Sequence, residues 1–186
     1  MALFMAQVIF MGIVAKLVID IWAVILSTIL KLPTTNWSMV GRWCAHLRTG
    51  QFIHRPISQS KPVKSEQTIG WLFHYIIGIG YAYLYVILMV FIVSNDPSLI
   101  SAIIYGLVTL IAPWLVLQPA LGLGLFARLA DKPNTTGALN LSVHLIFEVA
   151  LYFSWTLSLA FFNPMSLMVR VILNGCIAVV TRAKFN

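Results

Sequence analysis

The chain alternates long apolar runs with short polar breaks. Apolar residues dominate at 3–32, 69–93, 99–117, 139–162 and 165–180, and the breaks hold turn-forming proline, glycine and asparagine residues. A helix needs about 20 apolar residues to cross about 30 Å of hydrocarbon, so the first four runs are long enough to span a bilayer. The fifth run is shorter and contains Arg170, so it either spans or lies along the interface. The pattern predicts an all-α, polytopic transmembrane helix bundle of four to five spans in a single membrane domain, residues 1–186.

Composition agrees with this pattern. Of the 186 residues, 60% are hydrophobic and only 9% are charged, and the mean hydropathy is +0.93. Soluble domains carry about 25% charged residues, so this class is excluded and the lipid bilayer is the expected partner. The net charge of +7 does not indicate nucleic-acid binding, because the basic residues lie between the apolar runs. The two cysteines, Cys44 and Cys176, have no neighbours at metal-ligand spacing and predict neither a disulfide nor a zinc site.

Lysine and arginine residues are distributed unevenly among the breaks. They occur in loop 33–67, in loop 118–138 and in the C-terminal tail, whereas the turns at 94–98 and 163–164 have none. Basic residues favour the cytoplasmic side of a membrane. The distribution therefore predicts an N-terminus outside and a cytoplasmic C-terminus.

The first basic loop mixes aromatic and cationic residues in "NWSMVGRWCAHLRTGQFIHRPI", residues 36–57. Aromatic rings and cations are typical of the headgroup layer. We expect an interfacial cytoplasmic segment that caps the bundle. Within it, Arg42, Trp43 and His54 are the residues predicted to contact a headgroup or another anion.

Ionisable residues inside the apolar runs are the candidates for function, because a charge in a bilayer is costly and usually faces protein or water. At 1.5 Å per residue, His74 and His144 lie roughly 10 Å inside the cytoplasmic boundary, and Asp20 and Glu148 roughly 15 Å. His144 and Glu148 also share a helical face. We therefore predict a polar pocket, open to the cytoplasm, formed by these four residues and by Gln118 from "QPALGLG", residues 118–124.

Simpler explanations exist for each part of this pocket. A single histidine near the end of a span can bond to a neighbouring helix or a headgroup, and Lys16 and Asp20 can neutralise each other at i and i+4. "QPALGLG" can be a plain helix stop, and Gly78 and Gly80 most simply allow close helix packing. His74, His144 and Asp20 are also candidate metal ligands, since imidazole suits zinc, copper, iron and nickel. The sequence indicates no particular cofactor.

Several blocks of sequence together resemble a known family of bacterial membrane proteins. They are "GIVAKLVIDIW" (12–22), "VGRW" (40–43), "GQFIH" (50–54), "EQTIGWLFHYIIGIG" (66–80), "QPALGLG" (118–124) and "HLIFEVALY" (144–152). Over about residues 8–160, the chain is similar to the family called domain of unknown function 2938. The resemblance implies a small polytopic protein of the bacterial inner (plasma) membrane with no settled activity. The motif residues that it implies here are Asp20, Gly41, Arg42, Trp43, His54, Glu66, Trp71, His74, Tyr75, Gln118, Pro119 and His144.

Two positions depart from the family pattern. A small hydroxyl residue is expected in place of Lys16, and a glycine in place of Glu148. Both changes put opposite charges into the membrane at similar depth. They suggest a compensating Lys16–Glu148 bridge between the first and fourth spans.

Three classes of function fit these residues, and the sequence contains no established catalytic motif that would choose among them. A solute or proton transporter, assembled as a homo-oligomer, predicts a cavity that reaches the membrane midplane. An enzyme acting on a lipid or quinone-like substrate, with His74 or His144 as general base and Arg42 holding an anionic head, predicts a lateral groove. A structural or assembly partner in a membrane-protein complex predicts no cavity.

Overall fold

The computed structural model describes residues 2–93 and 96–162. Four of its helices are long and apolar enough to cross a membrane: α1 (Ala2–Thr28), α3 (Glu66–Ile92), α4 (Leu99–Leu121) and α5 (Pro133–Phe162). A shorter helix, α2 (Trp37–Leu47), follows α1. The predicted all-α membrane bundle is confirmed. The fifth apolar run, 165–180, and its Arg170 lie outside the described residues.

The helix ends depart from the apolar runs for local reasons. α1 ends at Thr28 rather than at residue 32, because Pro33 disfavours a helical conformation in the residue before it and Lys31 adopts a φ of 52°. α5 begins at Pro133, well before the apolar run at 139. Proline suits the first turn of a helix, where its missing N–H is not needed.

Helix α4 changes its winding around Pro113. It is α-helical over Leu99–Thr109 and widens into a π-helical turn over Ala112–Leu117. Proline lacks an N–H and collides with the carbonyl four residues earlier, so the helix must open at this point. Ala112, Pro113, Val116 and Leu117 of the widened turn line the cavity described below.

The long helices form a bundle with two distinct ends. α1 packs against α3 and α5, and α4 packs against α5. The loop end carries α2, the linkers around it and residues 122–132; the far end carries Ala2, Phe162 and the α3–α4 turn. The far half is filled by tightly packed apolar and aromatic side chains, namely Val8, Met11, Ala15, Ala82, Tyr85, Val86, Met89, Ala102, Tyr105, Phe147, Leu151 and Trp155.

Helix α2 lies directly against the backbone of α3. A Cβ atom at Gly41 would collide with the carbonyl oxygen of Glu66, and one at Gly70 would collide with that of Trp37. The helix begins at Asn36, whose Oδ1 accepts hydrogen bonds from the amides of Ser38 and Met39. Two glycines at the crossing thus hold α2 over the loop end of the bundle.

Candidate functional site

A cavity of about 690 Å³ lies among the four long helices in the loop half of the bundle. Its upper wall is the linker 33–36 and the start of α2, and its deepest residues are Lys16, Tyr81 and His144. Lys16 lies about 18 Å from the end of α1 at 1.5 Å per residue, so the floor is near the middle of the membrane. The packed far half lies directly below this floor.

Lys16 reaches the floor along a path that a glycine opens. Its side chain crosses Gly78 of α3, where a Cβ atom would collide with the lysine stem. Its Nζ lies 4.6 Å from the ring centroid of Phe147, a cation–π contact. Gly12 allows the same two helices to approach, because a Cβ there would lie 2.7 Å from Cα of Ile79.

Asp20 and His74 form a pair on the α1–α3 side of the cavity. Nε2 of His74 lies 3.0 Å from Oδ1 of Asp20, and the Tyr75 hydroxyl donates to Oδ2 at 2.6 Å. Because a carboxylate only accepts, Nε2 of His74 carries a proton. Its Nδ1 is buried and has no hydrogen-bond partner among the described residues. The ring lies against Trp37, with the centroids 4.2 Å apart.

His144 lies on the opposite wall and is held by α4. The Thr109 hydroxyl donates to the carbonyl of Gly106 at 3.1 Å and lies 3.1 Å from Nδ1 of His144. This contact holds the His144 ring against α4, and which of the two atoms donates depends on the tautomer of the ring. The structure therefore gives the two cavity histidines different partners.

The cavity walls above the floor are apolar and aromatic. Trp43 donates its indole N–H to the carbonyl of Phe52 at 3.0 Å and packs edge-on against Phe73. Side chains from α1, α3, α4 and α5 complete the walls. The apolar lining includes Ile19, Trp37, Trp43, Trp71, Phe73, Ile77, Pro113, Val116, Leu117, Leu139 and Val143.

Arg42, which the sequence predicts to contact a headgroup or another anion, is paired with Glu66 within the chain. It is buried, with Nε and one terminal nitrogen each 2.8 Å from an oxygen of Glu66. Its other terminal nitrogen faces the carbonyls of Ile57, Ser58 and Ser60. These bonds with Glu66 raise the pKa of the guanidinium above its ordinary value. Arg42 is a structural residue that joins α2, α3 and the intervening loop, because its fork is already filled by the chain itself.

His54 is likewise committed to the structure. It is buried, its Nδ1 lies 3.3 Å from the carbonyl of Ala120, and its Nε2 lies 2.9 Å from Nδ1 of His46. Its amide also donates to the carbonyl of Ala120 at 2.9 Å. Of the three predicted headgroup residues, Trp43 alone lines the cavity.

Gln118 and Glu148 also lie outside the cavity lining. Gln118 begins the last turn of α4, which ends in a Schellman motif at Gly122, where φ is +87°. "QPALGLG" is therefore a helix stop. Glu148 is 0% exposed and packs against Gly106. Its two carboxyl oxygens have no hydrogen-bond partner in the described chain.

The predicted direct Lys16–Glu148 bridge is absent from the described residues, where Arg42 pairs with Glu66 and Asp20 accepts a hydrogen bond from His74. Lys16 and Asp20 form no pair within 4.0 Å either. Asp20 turns to His74 and Tyr75, whereas Lys16 lies over Phe147. Lys16 therefore interacts electrostatically with Asp20 and Glu148 at longer range, without contacting either of them.

No three histidine, cysteine, aspartate or glutamate side chains in the described part of the chain are placed to hold a metal ion. Among the predicted ligands, His74 and Asp20 meet, but His144 bonds to Thr109 instead. The structure thus gives no support to a shared metal site of these three residues.

Tyr81 and Asn140 also line the cavity, although the sequence was not used to predict either of them. Tyr81 is seven residues after His74, and Asn140 is four residues before His144, so both share a helical face with a predicted site residue. That spacing was the available signal. The linker 33–36 had none, because its position depends on how α2 folds back.

Comparison with known proteins identifies a family for the chain but no activity. No curated protein and no solved structure matches it. A family model described as "Protein of unknown function (DUF2938)" matches residues 9–158, which covers every helix that surrounds the cavity. The chain belongs to this family.

Proposed function

We propose that the protein is a membrane carrier that takes up a small organic solute in the cavity at its loop end. The observation that supports this most is the cavity itself, which runs from the loop end to mid-membrane and is followed by a packed far half. A cavity of about 690 Å³ falls within the range of small-molecule sites. A site reached from one side and blocked on the other is what one state of an alternating-access carrier requires.

We further propose that the loop end faces the cytoplasm of a bacterial cell and that the membrane is the inner one. The segment between α1 and α3 contains exposed basic residues outside its helix, among them Lys31, Arg48, Arg55 and Lys61. The segment between α4 and α5 contains Arg128. The first of these segments meets the end of α4, next to the second, where the amide of His54 donates to the carbonyl of Ala120. Their shared positive charge supports a cytoplasmic position.

A membrane-embedded enzyme is the second candidate, and the Asp20–His74 pair is the observation that favours it. A carboxylate that fixes the histidine tautomer leaves the other ring nitrogen free to accept a proton. That nitrogen is buried against Trp37, however, and no hydroxyl or thiol of the described residues is hydrogen-bonded to it. A purely structural role would not require a cavity.

Cysteine accessibility tests the carrier proposal with three matched valines. Cys44 and Cys176 are first replaced by serine, and cysteine is then placed at Val143, Val86 or Val18. Val143 lines the cavity, Val86 is fully buried in the far half, and Val18 is exposed on the outer face of α1. A membrane-impermeant methanethiosulfonate is applied from each side.

We expect Val143→Cys to react from the cytoplasmic side and Val86→Cys to react from the opposite side, because the far half must open in the other state. Val18→Cys should react from neither side, since it faces lipid. If Val143→Cys is unreactive from the loop side, the cavity is not an access route. If Val86→Cys never reacts from the far side, the protein is not an alternating-access carrier.

A further inference from the structure

The chemistry of the cavity floor identifies the class of solute. Nδ2 of Asn140 is buried and has no hydrogen-bond partner in the described chain, and Lys16 and Tyr81 bring an ammonium and a hydroxyl to the same cavity lining. A buried polar group without a partner is costly, so donors left open around a cavity favour an acceptor supplied by a ligand.

The contacts of the charged side chains indicate which group of the ligand would bind here. Both oxygens of Asp20 are already bonded, one to His74 and one to Tyr75. Glu148 is behind the wall and makes no ion pair with Lys16 within 4.0 Å. Lys16 is 8% exposed. It is a cation in the cavity lining that makes no ion pair within 4.0 Å in the described chain, so its ammonium is open to an acceptor from a ligand.

The walls above the floor determine the rest of the solute. Between Lys16 and the entrance, the lining consists of aliphatic side chains such as Ile77 and Val116 and the rings of Trp37 and Trp71. A ligand with its anionic head on the floor therefore places its body against apolar and aromatic surface. Burial of that surface supplies affinity, and the charged head supplies orientation.

We propose that the solute is an amphipathic organic carboxylate whose carboxylate group binds Lys16 and Asn140 and whose apolar body extends toward Trp37 and Trp71. This inference rests on the proposed function as a solute-binding membrane protein. The same chemistry is found in a fatty acid released from the bilayer and in an aryl acid that arrives from water.

Isothermal titration calorimetry on the full chain in detergent tests the proposal with 4-phenylbutyrate, its neutral analogue 4-phenylbutanol and its cationic analogue 4-phenylbutylamine. We expect the carboxylate to bind about 10- to 100-fold more tightly than the alcohol, the range expected for a hydrogen bond to a charged group. The amine should bind more weakly than both. A parallel titration with decanoate distinguishes the sources, since tighter decanoate binding indicates a fatty acid and tighter 4-phenylbutyrate binding an aryl acid.

Variants connect this preference to Lys16. Lys16→Met should remove the carboxylate preference and keep alcohol binding, Lys16→Arg should retain part of the preference, and Lys61→Met in the exposed linker should change nothing. Gly78→Ala should weaken carboxylate binding by displacing the lysine stem while keeping the charge. This variant provides a second test if Lys16→Met fails to fold.

The possible failures point to different errors. If the alcohol binds in the cavity but wild-type protein shows no carboxylate preference, or Lys16→Met retains it, the solute class is wrong while solute binding stands. The same holds if neither carboxylate binds but Val143→Cys is labelled from the loop side. If that cysteine is also unreactive, the cavity is not a solute site and both proposals fall.

Discussion

The close crossing of α2 and α3 makes a quantitative prediction about two glycines. At Gly41, an added Cβ would collide with the Glu66 carbonyl oxygen and lie 2.6 Å from the amide nitrogen of Gly70. Both obstacles are backbone atoms, so no rotamer change can relieve the contact. At Gly80, also helical, a Cβ would meet nothing within 4 Å. Gly41→Ala and Gly80→Ala are therefore chemically identical changes in opposite environments.

The expected magnitudes follow from these contacts. Overpacking costs about 1–3 kcal/mol. Displacement of α2 also strains the Arg42–Glu66 pair, whose two bonds of 2.8 Å leave little room for movement, at a further cost of about 1.5–3 kcal/mol. Alanine also favours the helix over glycine by up to about 1 kcal/mol, which offsets part of this loss of stability. We expect Gly41→Ala to lower the free energy of unfolding by about 2–4 kcal/mol and Gly80→Ala to raise it slightly.

Thermal unfolding of the purified protein in detergent, followed by circular dichroism, measures the difference. At about 2–4 °C per kcal/mol for a chain of this size, Gly41→Ala should melt about 5–15 °C below wild type. Gly80→Ala should melt at or just above wild type. Equal melting temperatures for the two variants would show that α2 does not pack against the backbone of α3.

Two further predictions concern polar contacts between helices. Tyr75→Phe should lower stability by about 1.5–3 kcal/mol in the same melting assay, because Asp20 loses a hydrogen bond of 2.6 Å. As a control, Tyr83→Phe on the exposed face of α3 should stay within about 0.5 kcal/mol of wild type. Equal effects of the two substitutions would contradict the Tyr75–Asp20 hydrogen bond. A buried hydrogen bond of 2.8 Å between Gln7 and Ser158 joins α1 to α5. In a double-mutant cycle with alanine, these two residues should show a coupling energy of about 0.5–1.5 kcal/mol. Strictly additive losses of stability would mean that this bond contributes nothing.

The sequence could predict the helices because the bilayer imposes a simple requirement. An apolar run of about 20 residues must be helical to satisfy its backbone in lipid, and this was enough for the all-α membrane bundle. Depth along the membrane was also readable, since it depends only on the rise per residue. Asp20, His74 and His144 were placed at similar depth in this way, and all three line the cavity.

The rotation of each helix and the path of the linkers were decided by tertiary structure. Helices that are apolar on every side carry no amphipathic pattern, so nothing in the sequence showed that Glu148 packs behind Gly106 while Lys16 reaches the cavity. Gly78 and Gly80 look alike in sequence, yet only the first meets another helix.

Arg42 and His54 lie in a segment whose residues are typical of a headgroup site. Because α2 folds back onto α3, however, Arg42 bonds to Glu66 and His54 bonds to the carbonyl of Ala120. The sequence by itself determined which segments enter the membrane and how deeply their polar residues lie. Which of those residues meet was left to the packing of the helices, because contacts between distant segments depend on rotation and close approach that hydropathy does not encode.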